Sequence, residues 1–176
     1  MARFDDIYEI AADNYGLVTY AEALEAGLTS VELRRFVIDG RLERLGQGVY
    51  KLAKYIPTPY DQFAEAVTLV GRGSYIHGES VLAMHNLALV NPLRTNVATP
   101  KRTRKKLPDW IKVIVAGSKD IITYYEGIPC QSVADALRFC QGRVMRDRLA
   151  GAVQKAAQEG LIDEATGAAL RGEFGL

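Results

Sequence analysis

The chain has 176 residues, 48% of them hydrophobic and 24% charged, with a formal net charge of +1. That is the composition of an ordinary globular protein, and it excludes a low-complexity or disordered chain. No apolar run reaches the roughly 18 to 20 residues that a bilayer span needs, and the N-terminus lacks the basic and apolar regions of a signal peptide, so a cytoplasmic protein is expected.

Residues 4–14 place Phe4, Ile7, Tyr8, Ile10 and Ala11 at spacings of three and four, which predicts a helix with one apolar face. Gly16 interrupts it. Thr19 followed by Glu22 has capping-box spacing for a second helix over 20–26, which Gly27 ends. Thr29 or Ser30 then caps a third helix, with Leu33, Phe36 and Val37 inward, Glu32, Arg34 and Arg35 outward, and Gly40 closing it. Strand-like runs at 41–45 and 49–52 flank Gly46-Gln47-Gly48, whose glycines suit a tight hairpin. Two short helices with a brief turn between them, followed by a hairpin, give the layout of a winged helix-turn-helix over residues 16–52.

That layout makes double-stranded DNA the leading partner. The start of the third helix offers Thr29, Ser30, Arg34 and Arg35 to a major groove, and the wing offers Arg41, Arg44, Gln47 and Lys51 to phosphates. Residues 1–53 carry six basic against nine acidic residues, net −3, whereas 31–53 carry five against three, net +2. The polarity suits DNA, but the charge is thin. A winged unit that binds protein instead is the competing reading.

Tyr55-Ile56-Pro57-Thr58-Pro59 reads as a linker, so the expected organisation is a winged helix-turn-helix domain at 1–53, a linker at 54–58 and a C-terminal domain at 59–176. A helix restarts near residue 59 with Phe63, Ala66, Val67 and Val70 on one face. An apolar stretch at Tyr75-Ile76, a helix over about 80–86 and strands at 95–99, 111–116 and 121–125 follow. Ser132 caps a helix with Val133, Ala136, Leu137 and Cys140 inward, and two helices over about 145–159 and 163–171 finish the chain. The fold class expected is α+β, a winged helix-turn-helix followed by a mixed α/β domain.

Between the first two of those strands lie Lys101, Arg102, Arg104, Lys105 and Lys106, with prolines at 100 and 108 and no acid among them. Residues 94–112 sum to +6. This basic strap is a solvated loop, a second contact to nucleic acid, or a contact to an acidic protein surface.

Catalytic patterns are missing from the sequence. His77 and His85 flank Glu79 without HExxH spacing, and Cys130 and Cys140 lack CxxC spacing, so core histidines and reduced core thiols are expected rather than a metal site. There is no Glu-x-Lys of a restriction-type nuclease, no Asp-x-Asp or Asp-x-Glu after Gly73-Ser74 for a nucleotidyltransferase, no phosphate loop and no GxSxG elbow. The chain reads as a non-enzyme without cofactor or metal.

The pattern G-L-V-T-x-A-E-A-L-E-A-G-L-T-x-x-E-L-R-R at 16–35, followed by G-R-L-E-R-L-G-Q-G-V-Y at 40–50, resembles the N-terminal domain of AbiEi-family antitoxins of type IV toxin–antitoxin systems. A looser likeness continues through His77-x-x-Ser80-x-Leu82-x-x-His85-x-Leu87, the V-A-T-P run at 97–100, and Gly127-Ile128-Pro129 leading into Ser132 to Leu137. Gln47 stands where relatives often carry a basic residue. The resemblance implies an autorepressor that binds operator DNA through the winged domain. It also implies an antitoxin that counteracts a nucleotidyltransferase-like toxin through the second domain. The alternative is a protein-interaction adaptor or a stand-alone transcriptional regulator.

Overall fold

Two threonine-glutamate pairs set the frame of the first half. The computed structural model describes residues 2–117 and 119–176, with side chains from residue 4 onward. In it Thr19 caps α2 (Tyr20–Glu25) and Thr29 caps α3 (Ser30–Ile38), each through a reciprocal capping box with the glutamate three residues on. Each box satisfies backbone donors that a helix start leaves open, so both helices begin where the sequence says they should. Ahead of them α1 (Ala2–Ala12) buries Ile7 and Ala11 completely, while Tyr8, expected on the apolar face, is 52% exposed.

The wing is a hairpin of β2 (Leu42–Gly46) and β3 (Val49–Leu52). Its register shifts between Arg44 and Gly46, and Gly48, with φ +70, supplies the positive φ of the turn. Gly46 serves another purpose: a Cβ there would come within 2.6 Å of Leu69. A third strand not foreseen from the sequence, β1 (Leu17–Thr19), pairs antiparallel with β3 and makes the sheet order β1-β3-β2. Ile7, Ala11, Val18, Ala23, Leu28, Leu33, Leu42 and Leu52 form the core beneath it.

This first unit runs to Arg72 and takes in Arg104–Leu107, so the expected boundary at 54–58 falls inside it. The reason lies in α4 (Asp61–Val70), whose neighbours include β1 and Gly46 of the wing. Lys105 Nζ lies 3.4 Å from the carbonyl oxygen of Leu69 in the last turn of α4, where a cation meets the negative end of the helix.

The second unit covers Gly73–Thr103 and Pro108–Leu176. Its sheet has the order β6-β5-β4-β8-β7, built from β4 (Tyr75–Ile76), β5 (Thr95–Thr99), β6 (Ile111–Val115), β7 (Ile122–Tyr125) and β8 (Ile128–Gln131). β5 and β6 run parallel, and β7 and β8 form an antiparallel hairpin whose turn residues Glu126 and Gly127 have φ 49 and 76. Both residues are left-handed, as a two-residue hairpin turn of this hand requires. β8 was not foreseen because Pro129 argues against an interior strand. α5 (Glu79–Met84) follows β4. Then α6 (Val133–Cys140), capped by Ser132, packs with α7 (Arg146–Gln158) and α8 (Glu164–Phe174). Val133, Ala136, Leu137 and Cys140 are all buried, as the spacing predicts. The architecture is α+β with a winged N-terminal unit, and no helix among the described residues is long and apolar enough to cross a membrane.

Candidate nucleic-acid interface

The outward face of α3 carries Ser30, Arg34 and Arg35, all exposed. Arg34 makes no ion pair among the described residues, and Arg35 meets Asp39 only loosely, at 3.8 Å between two largely exposed side chains. Such a pair contributes little and yields readily to a phosphate. Thr29 is also exposed, but its hydroxyl is engaged. It donates to Glu32 Oε2 at 2.8 Å and accepts from the Glu32 amide at 3.3 Å. Thr29 therefore holds the helix start in place, and reading a base with it would open the capping box.

On the wing, Arg41, Arg44 and Gln47 are exposed. The Arg41 guanidinium lies 5.1 Å from the Phe4 ring centre and 6.0 Å from that of Phe36, two rings that meet edge to face at 5.1 Å. This cation–π contact holds the base of the wing to α1 and α3 while leaving the guanidinium at the surface. Arg44 Nε donates to the Gly46 carbonyl at 3.3 Å, so its side chain follows the hairpin. Gln47 occupies the tip.

Lys51 departs from the expected set. Its ammonium lies 2.8 Å from Asp61 Oδ2 and 2.6 Å from Glu65 Oε1, with a side chain only 17% exposed. Burial would lower its pKa, but the two carboxylates outweigh that and raise it. In the same way burial would raise the Asp61 carboxyl, yet bonds from Lys51 and Thr58 hold it below its ordinary value. The residue faces α4 and locks that helix to the wing, so it is not a free phosphate contact. Its partners lie ten and fourteen positions along the chain, beyond the reach of local pattern.

The strap residues Lys101, Arg102, Arg104, Lys105 and Lys106 are all exposed. Arg104, Lys105 and Lys106 belong to the unit that carries α3 and the wing, whereas Lys101 and Arg102 belong to the other. Three strap cations are thus part of the winged unit, which its sequence charge alone would not suggest.

The histidines lie in the core of the second unit. His77 Nε2 is 3.4 Å from Asp120 Oδ2, which also accepts the Tyr75 hydroxyl proton at 2.7 Å, while Gln131 donates to Asp120 Oδ1 at 3.2 Å. Burial lowers the His77 pKa against an opposing pull from Asp120. His85 is buried with no hydrogen-bond partner at either nitrogen among the described residues, and burial pushes its pKa down to about 4. Cys130 and Cys140 are unpaired, and burial pushes their thiols up to about 11 and about 12. Among the described residues no three His, Cys, Asp or Glu side chains gather as a metal-binding group.

Residues 5–53 match the family model described as a transcriptional regulator, AbiEi antitoxin. No curated protein matches the chain. The crystal structure of the RV2827C protein from Mycobacterium tuberculosis is similar to it at 16% sequence identity and a TM-score of 0.45, over 97% of this chain and 80% of that one. The family match is confined to residues 5–53, so it is the winged unit, rather than the whole chain, that is similar to the AbiEi antitoxin transcriptional regulators.

Proposed function

We propose that the protein is the antitoxin and autorepressor of a type IV toxin–antitoxin operon, binding double-stranded operator DNA and counteracting a nucleotidyltransferase-like toxin. The observation that carries the reading is the outward face of α3, where Ser30, Arg34 and Arg35 stand exposed beside a wing bearing Arg41, Arg44 and Gln47. Arginine forks suit both guanine edges and phosphates. Arg104, Lys105 and Lys106 of the strap add positive charge to the same unit and offset the acids of its first helix. The strap supplies a second phosphate contact in this reading, and the second unit carries the protective activity.

The test separates the two roles in one chain. An Arg34→Ala, Arg35→Ala double variant is expressed beside the toxin gene and a promoter reporter. Repression is lost while protection from the toxin remains. Loss of neither would refute the DNA assignment, and simultaneous loss of both with a normally folded protein would refute the division of labour.

A further inference from the structure

Three cationic side chains that the DNA reading does not use converge within the second unit. Arg94 precedes β5, Lys112 lies in β6 and Arg143 follows α6, and all three line one cleft of about 650 Å³. Arg94 and Lys112 are exposed and form no ion pair or side-chain hydrogen bond among the described residues. The Arg143 guanidinium sits 4.5 Å from the centre of the Phe139 ring, another wall of the cleft, which fixes its position without neutralising it.

Asn96 supplies a second, independent sign of a ligand. It pairs in register with Lys112 across the parallel β5–β6 ladder, so the two side chains stand next to each other on one face of the sheet. Its backbone is satisfied: the amide donates to Ser80 Oγ at 2.8 Å and the carbonyl accepts from His77 at 3.0 Å. Its carboxamide is not. The residue is only 7% exposed, has no side-chain hydrogen bond among the described residues, and lines the cleft. The amide is open to the cleft and has no protein partner among the described residues, so it is available to hydrogen-bond a polar group bound there. Among the described residues Glu79 of α5 is the one carboxylate in the wall, and it too is without an ion pair.

We propose that this cleft binds a nucleoside phosphate, with Arg94, Lys112 and Arg143 on phosphate oxygens, Asn96 hydrogen-bonded to the ligand, and Glu79 accepting from ribose hydroxyls. Three unpaired cations suit phosphates. The volume falls in the range of small-molecule sites and far exceeds what a bare phosphate fills. Glu79 would repel a lone anion, whereas a carboxylate is a natural acceptor for a sugar diol. The site goes beyond the regulator reading, since none of its residues lies in the winged unit.

Calorimetric titration of the full chain, without DNA, tests the assignment with ATP, GTP, pyrophosphate and adenosine as probes. At least one nucleotide binds, pyrophosphate binds more weakly, and adenosine does not bind. Arg94→Ala, Lys112→Ala and Arg143→Ala each weaken nucleotide binding about tenfold, the loss expected for one charge-assisted hydrogen bond. Glu79→Gln weakens nucleotide but not pyrophosphate. The melting temperatures of the Arg94 and Lys112 variants match the parent, because both side chains are exposed. A variant with Lys101, Arg102, Arg104, Lys105 and Lys106 neutralised keeps nucleotide binding, which separates the cleft from general attraction to the strap. The proposal is overturned by no binding of either nucleotide at about 1 mM, by unchanged binding in the Lys112→Ala, Arg143→Ala double variant, or by loss of binding on neutralising the strap alone. Pyrophosphate binding as tight as ATP overturns the nucleoside assignment.

Discussion

Lys51, in the second strand of the wing, is bonded to Asp61 at the start of α4 at 2.8 Å, and this ion pair ties the wing to the helix after it. Glu65 completes the site at 2.6 Å. Lys51→Ala leaves two poorly solvated carboxylates facing each other, at a cost of about 2 to 3 kcal/mol, somewhat below the range for a fully buried pair. Urea denaturation at neutral pH measures that loss. DNA affinity below the melting range stays near the parent value, and an unchanged denaturation midpoint would show that the pair does not hold the unit together.

Thr29 gives a parallel case at the start of α3. Thr29→Ala removes the hydroxyl's bonds to Glu32, keeps the one its backbone amide donates, and destabilises the protein by about 1 kcal/mol. Thr29→Ser keeps the hydroxyl and stays close to the parent. If thermal unfolding ranks Ser and Ala alike, the cap is not what positions α3.

Acid should weaken the second unit before it touches the carboxylates of the first. His85 packs against Tyr125 with ring centres 3.9 Å apart and the rings tilted by 41°, and burial, opposed only by Glu159, lowers its pKa to about 4. The unfolded chain binds that proton near pH 6.5 and the folded one does not. Stability is therefore complete above pH 6.5 and falls as pH drops toward 4, by up to about 1.4 kcal/mol per unit. The lowered pKa of Asp61 acts in a different window, its contribution being present above the ordinary carboxylate value and lost only below it. His85→Phe flattens the slope of stability between pH 6.5 and 4 in chemical denaturation. An identical slope in the variant would contradict the neutral buried imidazole.

Neutralising Lys101, Arg102, Arg104, Lys105 and Lys106 together weakens promoter binding several-fold and reduces its salt dependence, since each phosphate contact contributes about −0.9 to the slope of log affinity against log salt. Fluorescence anisotropy at several salt concentrations reads both effects. Equal affinity and slope would return the strap to a solvated loop.

The winged unit was legible because its signals are local. Capping threonines, glutamates three residues on and glycines at helix ends all act within one turn, and they place α2, α3 and the hairpin within a residue or two. β1 escaped because three residues are too few for alternation to register. β8 escaped because Pro129 speaks against a strand that its neighbours on both sides nonetheless impose. Lys51 looked like an outward cation until α4 brought Asp61 and Glu65 to it. Arg94, Lys112 and Arg143 are scattered over fifty positions, and only the folded sheet and α6 gather them at one cleft.

The central claim is that α3 and the wing hold DNA through Arg34 and Arg35. Its most direct test is the salt dependence of binding to the promoter fragment of the chain's own operon, measured for the parent and the Arg34→Ala, Arg35→Ala double variant. The variant should lose affinity and flatten the slope by about 1 to 2 units, while its stability stays within about 0.5 kcal/mol of the parent. Unchanged affinity and slope in a folded double variant would contradict the account.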